Sequence, residues 1–440
     1  NTTGAENVAV GNNTMSANTT GSENTAVGAN ALDANTTATG NAAFGKGALT
    51  SNNTGAENTA LGTTTLAFNT TGAYNTAVGN QALKANTTAT SNTAVGYKAM
   101  LVNTTGTKNT AVGGNALDAN TTGDNNVAFG YFALGAATTA DKNTALGYYA
   151  GADITTGVRN TAVGAEALRQ KTTSTDNTAI GFNAMFQSSE GNHNTCVGAS
   201  AGYNISTGEY NTVVGSAALD ANTVGVRNTA LGYAAMTDNT TGGYNTAVGM
   251  SALENNTTAS NNTAVGNNSL VSNTTGASNT AVGTNALDAN TTVSGLTAVG
   301  FAALGANTTG THNTAVGFQA LLVNTTGLAN SAFGYEALAA CTTGEKNCAF
   351  GSYALEAVTT AEDNVAIGHD CQENNVTGSQ NIALGTRTMH TNTSADRNVA
   401  VGHESLFTLD VNMDSFNVAV GYQAGYSMTS GYFNTCVGGE

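Results

Sequence analysis

Apolar and polar positions alternate in a short block that recurs along the whole chain. The block reads Asn-Thr-Ala-Val-Gly or a close variant, begins at 7, 24, 41 and 58, continues at the same interval to 398, and then appears at 417 and 434. There are 26 copies, with the consensus N-T-A-V-G-x-x-A-L-x-x-N-T-T-G-x-x, numbered here as positions 1 to 17. Within the block the period is two rather than 3.6, which predicts one short strand in each copy and argues against a helix.

The repeat predicts an all-β fold, a parallel β-solenoid of about 26 coils in which each coil is one 17-residue repeat. Each coil would place its strands above those of the previous coil, about 4.8 Å away, and the stack would form a rod on the order of 125 Å long. We expect residues 1–440 to be a single continuous array, with a two-residue insertion near 407–416. Neither end carries a divergent polar coil, so we also expect a segment of a longer chain or subunits that stack end to end.

Glycine and asparagine mark the predicted corners of each coil. Position 5 is Gly in every copy, including Gly28, Gly45 and Gly62. Such strictness predicts a positive φ or a place with no room for a side chain. Asn opens 25 of the 26 copies, including Asn24 and Asn58, and we expect it to supply left-handed corner geometry and bonds to nearby backbone.

The alternation also predicts which side chains face the core. Positions 2 and 4 hold mostly β-branched or larger apolar residues, so we expect both to point inward. Position 3 is Ala in 23 of the 26 copies and would then point outward. Leu or Met at position 9 would point inward beside a small outward residue at position 8. Two outward alanine stripes would permit close packing between rods.

Position 12 is Asn in 16 copies, and 15 of these read Asn-x-Ser/Thr. One interpretation is glycosylation. The other, which the sequence favours, is a ladder of packed amides along the axis, because residues such as Ile154 and Cys341 replace Asn in other copies. The candidate glycosylation residues are Asn18, Asn35, Asn69, Asn86, Asn103 and Asn120.

Aromatic residues occupy position 6 in nine copies. They form a candidate binding surface that could stack on sugars or on a partner; the alternative, which we favour, is a lip over the coil corner or a seam between subunits. The candidate binding residues are Tyr97, Tyr131, Tyr148, Phe301, Phe318 and Tyr335.

Composition narrows the function classes. The chain carries 12 Lys+Arg against 28 Asp+Glu, a formal charge of −16, which opposes nucleic-acid binding and anionic membranes. No run approaches the roughly 20 apolar residues of a membrane-spanning helix. The five cysteines are odd in number and irregularly spaced, and no catalytic or metal-binding grouping recurs. We therefore expect no enzymatic activity and no cofactor.

The block resembles a known family motif. Asn364-Val365-Ala366-Ile367-Gly368 and Asn398-Val399-Ala400-Val401-Gly402 are similar to the N-S-V-A-I-G repeats in the heads of YadA-type trimeric autotransporter adhesins, and similar arrays occur in phage tail-fibre proteins. The resemblance implies a left-handed parallel β-roll, association of three chains and binding to host matrix or cells. The coil here is a 17-residue unit, longer than the coil typical of the family, and it adds the N-T-T-G segment. Oligomerisation and binding behaviour therefore do not transfer directly.

The leading functional hypothesis is a non-enzymatic structural or adhesive rod or fibre subunit, located outside the cell or on a cell or virion surface. Its expected partners are copies of itself, with surface glycans or host matrix as further partners. Two alternatives remain: a carbohydrate-binding fibre that uses the aromatics, and an ice-binding solenoid that uses the ranks of Thr at positions 13 and 14.

Overall fold

The computed structural model describes residues 2–187, 190–409, 411 and 414–439. These fall into two compact units, Asn1–Val224 and Gly225–Glu440. Each unit is an all-β parallel solenoid with a 17-residue turn, and no helix occurs in the described ranges. The predicted fold class is confirmed.

Unit 1 contains thirteen strands of three residues, one in each coil. They are β1 (Val8–Val10), β2 (Thr25–Val27), β3 (Ala42–Phe44), β4 (Thr59–Leu61), β5 (Thr76–Val78), β6 (Thr93–Val95), β7 (Thr110–Val112), β8 (Val127–Phe129), β9 (Thr144–Leu146), β10 (Thr161–Val163), β11 (Thr178–Ile180), β12 (Thr195–Val197) and β13 (Thr212–Val214).

Unit 2 repeats the arrangement with thirteen further strands. They are β14 (Thr229–Leu231), β15 (Thr246–Val248), β16 (Thr263–Val265), β17 (Thr280–Val282), β18 (Thr297–Val299), β19 (Thr314–Val316), β20 (Ser331–Phe333), β21 (Cys348–Phe350), β22 (Val365–Ile367), β23 (Ile382–Leu384), β24 (Val399–Val401), β25 (Val418–Val420) and β26 (Thr435–Val437).

Neighbouring strands pair in parallel, with each residue beside the residue at the same repeat position. Ala26 pairs with Ala43, for example, and Ala247 with Ala264, in each case one repeat further along the chain. Val399 pairs instead with Val418, an offset of 19, which confirms the predicted two-residue insertion. In the longer segment 407–416, residues Asp410, Asn412 and Met413 lie outside the described residues.

The strands face the opposite way from the prediction. The middle residue, position 3, is buried in β2 to β25, whereas positions 2 and 4 are partly or fully exposed. Position 8 is also buried beside position 9, as at Ala31 and Leu32. The predicted outward alanine stripes were therefore wrong. Alternation fixes only that positions 2 and 4 share a face. Here Ala lies inside with Leu in a core that a 17-residue turn leaves narrow.

The corner glycines behave as predicted. Gly28, Gly45 and Gly62 have φ of 134°, 137° and 141°. A Cβ on Gly45 would lie 2.3 Å from the carbonyl oxygen of Gly62 in the next coil. Only glycine satisfies both the φ and the close approach of successive coils.

The opening asparagines do not supply the left-handed geometry expected of them. The positive φ falls on the preceding residue, 60° at Glu23 before Asn24 and 58° at Glu57 before Asn58. Further left-handed residues occur at positions 7 and 9, such as Asn30 (57°) and Leu32 (50°). The next coil stabilises these turns, because the Leu32 N–H donates to the carbonyl of Ala48 in that coil at 3.0 Å.

Candidate functional site

Two columns of asparagine side chains run through the interior. At position 12, the Asn35 amide donates to Oδ1 of Asn18 at 2.9 Å and to the Ala38 carbonyl at 3.2 Å. At position 1, Oδ1 of Asn24 accepts the backbone N–H of Asn41 at 3.0 Å. Each amide thus forms hydrogen bonds with groups of neighbouring coils as well as with groups of its own coil. These bonds offset the cost of burying a polar side chain.

The six candidate glycosylation residues all belong to the position-12 column. Asn18 is 2% exposed and the other five are fully buried. Their amide nitrogens already donate hydrogen bonds, as from Asn69 to Oδ1 of Asn52 at 2.7 Å and from Asn103 to Oδ1 of Asn86 at 3.2 Å. In the folded coil a glycan on this nitrogen would displace those bonds. The geometry supports the packed-amide interpretation over the glycan.

The column stops where the next coil lacks an amide. Ala137 follows Asn120, and Cys341 follows Asn324. In both cases Oδ1 of the last asparagine is buried without a hydrogen-bond partner among the described residues. Oδ1 of Asn290 also lacks a partner among the described residues, although Asn307 follows it in the next coil, so the column is interrupted there as well.

The outward side chains at positions 2 and 4 form what we call the outer sheet face. No strand contains a charged residue in the described part of the chain. From β15 to β19 the face is uniform, with Thr at position 2 and Val at position 4 in each of five successive strands. Elsewhere larger residues occupy position 4, including Phe129 (50% exposed) and Phe350 (56% exposed). The sequence predicted that positions 2 and 4 share one face of the strand, but this face was expected to point into the core.

All six candidate aromatic residues are exposed, three in each unit. Tyr97, Tyr131 and Tyr148 are 54%, 47% and 54% exposed, and the other three are 41% to 42% exposed. The Lys98 ammonium lies 5.1 Å from the ring centroid of Tyr97. A hydrogen bond with Glu336 is the main cause that raises the pKa of Tyr335 to about 12.

Five of the six rings, all but Tyr97, stack on another of the six. Phe301 and Phe318 have centroids 5.3 Å apart, and Phe318 and Tyr335 are 5.1 Å apart with planes within 6° of parallel. Tyr131 stacks on Tyr148 at 5.9 Å. A ring inside such a ladder uses both faces on its neighbours, so a sugar could stack only at a ladder end.

Adjacent columns enlarge the aromatic cluster of unit 1 beyond the residues that the sequence singled out. Phe132 and Tyr149, at position 7, stack at 5.2 Å, and Tyr149 lies 4.5 Å from Tyr148. The guanidinium of Arg169 is 4.7 Å from the Tyr149 ring centroid. The doublets Tyr131-Phe132 and Tyr148-Tyr149, one coil apart, were the available signal.

The two threonine columns of the N-T-T-G segment differ in their bonding. At position 13, hydroxyls donate to the next coil, as from Thr87 to the Thr104 carbonyl at 3.1 Å. At position 14, the side chains are exposed, as at Thr88 and Thr105. The hydroxyl at position 13 therefore helps to join successive coils, and position 14 is the threonine column that faces solvent.

Lys171 departs most from the repeat. It occupies position 12, is fully buried, and its Nζ lies 3.1 Å from the carbonyl oxygen of Gly191 in the next coil. Burial lowers its pKa to about 7. The sequence showed that Lys fits this position poorly but not that the amine would be enclosed.

Glu356 and Glu373 lie in successive coils and line the same surface groove. Burial raises the pKa of Glu356 above its usual range, and the nearby charge of Glu336 raises it further. No group of three or more His, Cys, Asp or Glu side chains in the described ranges could hold a metal ion. The five cysteines are free thiols, and burial raises the pKa of Cys196 and of Cys371 to about 12.

No protein-family model matches the chain, and no curated protein matches it. Within the described residues, no helix has the length and apolar character needed to cross a bilayer.

Proposed function

We propose that this chain is a non-enzymatic structural subunit of an extracellular or virion-surface fibre, which self-associates and presents its corner surfaces for adhesion. The outer sheet face carries this proposal. In each unit it offers thirteen stacked strands without a charged side chain and with an apolar column at position 4. Contiguous exposed apolar surface of this kind marks an interaction site in soluble proteins.

A second copy of the same chain is the partner that fits this face. Thirteen strands about 4.8 Å apart, each about 10 Å long, give a surface on the order of 600 Å² in each unit. A standard interface buries roughly 800 Å² on each partner, so one face of one unit is close to sufficient. The uniform Thr and Val ranks of β15 to β19 would match the same ranks on another copy.

The repeated bonding explains why we assign a structural role rather than catalysis. The same amide hydrogen bonds, glycine corner and strand register recur in successive coils. A catalytic site needs groups that converge at one place. The geometry here distributes its polar groups along the stack, where they bond to one another.

Charge placed on the outer sheet face tests the proposal. In Val282→Lys combined with Val299→Lys, two ammonium groups would lie in the apolar column, and association should weaken at least tenfold because the charges must be desolvated. Thr292→Lys combined with Thr309→Lys places the same charges on the exposed position-14 rank and serves as the matched control. Sedimentation equilibrium over a range of concentrations measures both, with circular dichroism to verify folding. A wild-type monomer at all concentrations, or equal weakening in both variants, would refute it.

A further inference from the structure

A buried amine interrupts the asparagine column of unit 1. Lys171 stands at position 12, above Ile154, which is itself 1% exposed. Where this position is Asn, the amide donates to the position-15 carbonyl of its own coil, as Asn35 does to Ala38. Lys171 instead reaches into the next coil, to the carbonyl of Gly191, which already accepts a hydrogen bond from Asn177 at 2.9 Å.

Among the residues that the structure describes, no carboxylate forms an ion pair with this amine. The acids of its own coil are held at the surface by arginines, Asp176 by Arg159 at 2.6 Å and Glu166 by Arg169 at 3.1 Å. Among the described residues, the titratable group that interacts with Lys171 is the thiol of Cys196, two coils ahead and fully buried. An ammonium has three N–H donors, and one shared carbonyl cannot compensate for its loss of water.

We propose that Lys171 is a pH sensor built into unit 1. When the amine takes up a proton, the packing around Lys171 and Cys196 opens locally, because the buried ammonium is stable only in contact with water. The device acts on local stability and is independent of the outer sheet face.

The direction follows from the proton balance. In the closed coil the pKa of Lys171 is about 7, against 10.5 for the exposed side chain. The open state therefore binds more protons between these values, and opening becomes more favourable as the pH falls from 10.5 towards 7, levelling off below it. Between pH 9 and pH 6 the opening constant should rise by up to about 100-fold.

Cys196 reports this opening. Its thiol is fully buried, and so is the thiol of Cys371 in unit 2, whose pKa is raised to the same value of about 12. The ratio of their labelling rates with N-ethylmaleimide, read by mass spectrometry on the full chain, cancels the intrinsic pH dependence of thiol chemistry. We expect the ratio of Cys196 to Cys371 labelling to rise up to about 100-fold from pH 9 to pH 6.

Two variants isolate the amine. Lys171→Asn restores the residue that the repeat favours, and Lys171→Met keeps the long side chain without the titrating nitrogen. In both the labelling ratio should be independent of pH, with circular dichroism to verify the fold. A flat ratio in the wild type, or the same rise in a variant that folds, would overturn the proposal.

Discussion

Asparagine side chains pair the polar backbone groups that point into this core. A 17-residue turn encloses little space, and its corners leave carbonyl groups that point inward without a strand partner. The amide carries both donors and an acceptor, so stacked copies bond to each other and to these carbonyls. Leucine at position 9 fills the remaining volume, and alanine at positions 3 and 8 keeps the walls close. Polar and apolar residues are thus equally part of the core.

Removal of one amide from the middle of the column should be costly. Asn103→Ala would leave Oδ1 of Asn86 without its donor. The carbonyl of Gly106 would keep the Asn92 amide as a donor, and the amide of Asn120 would keep the Gly123 carbonyl as an acceptor. We expect destabilisation of about 2 kcal/mol, since one buried group left unpaired costs about 1 to 3 kcal/mol. Urea denaturation measures the loss. Thr105→Ala, two residues away on the exposed rank, is the control and should change stability by less than about 0.5 kcal/mol. Equal effects of the two substitutions would contradict the ladder.

At the scale of the element, the unit of structure is the coil rather than the strand. A strand of three residues has few bonds of its own, and its turns contain left-handed residues such as Leu32 that cost energy in isolation. The next coil supplies the compensating bonds, because turns as well as strands donate to it. Stability therefore belongs to the contact between coils, as in other stacked repeats.

Substitution of a corner glycine tests this close contact between coils. A Cβ on Gly300, where φ is 137°, would lie 2.2 Å from the carbonyl oxygen of Gly317. Gly300→Ala should therefore lower stability by at least about 4 kcal/mol, through both the clash and the disfavoured φ. Gly305→Ala, whose nearest atoms would be 3.3 Å away, should cost about 1 kcal/mol or less. Thermal denaturation of the two variants measures the difference, and a tolerated Gly300→Ala would show that the coils can separate at this corner.

The coil could be predicted from the sequence because its signals are local and repeated 26 times. Period, strand position, glycine corner and the register shift near β25 follow from residue order alone. The direction in which the strand faces could not be predicted, because alternation is symmetric and hydrophobicity favoured Val over Ala for the core. The volume of the interior decides that question, and this volume is set only when the whole coil has closed. The aromatic stacking and the enclosure of Lys171 depend on contacts between coils in the same way.

At the scale of the whole molecule, the net charge opposes the proposed association of two copies, whereas the outer sheet face favours it. The chain carries a formal charge of −16, which repels a second copy, whereas the strands that form the face carry no charge in the described residues. The proposed self-association through this face must therefore overcome a general repulsion with local apolar contact. This balance predicts a distinctive dependence on ionic strength.

Added salt should strengthen self-association. Raising the concentration of NaCl from about 0.01 M to about 0.1 M shortens the Debye length from about 30 Å to about 10 Å, which screens the repulsion between copies, while the apolar contact needs no charge to persist. The dissociation constant from sedimentation equilibrium should fall severalfold over this range. The variant with Val282→Lys and Val299→Lys is a useful comparison, because its net charge is less negative and yet it should associate more weakly. If salt instead dissociates the wild-type protein, ion pairs hold the copies together, and the contact lies on the charged corners rather than on the outer sheet face.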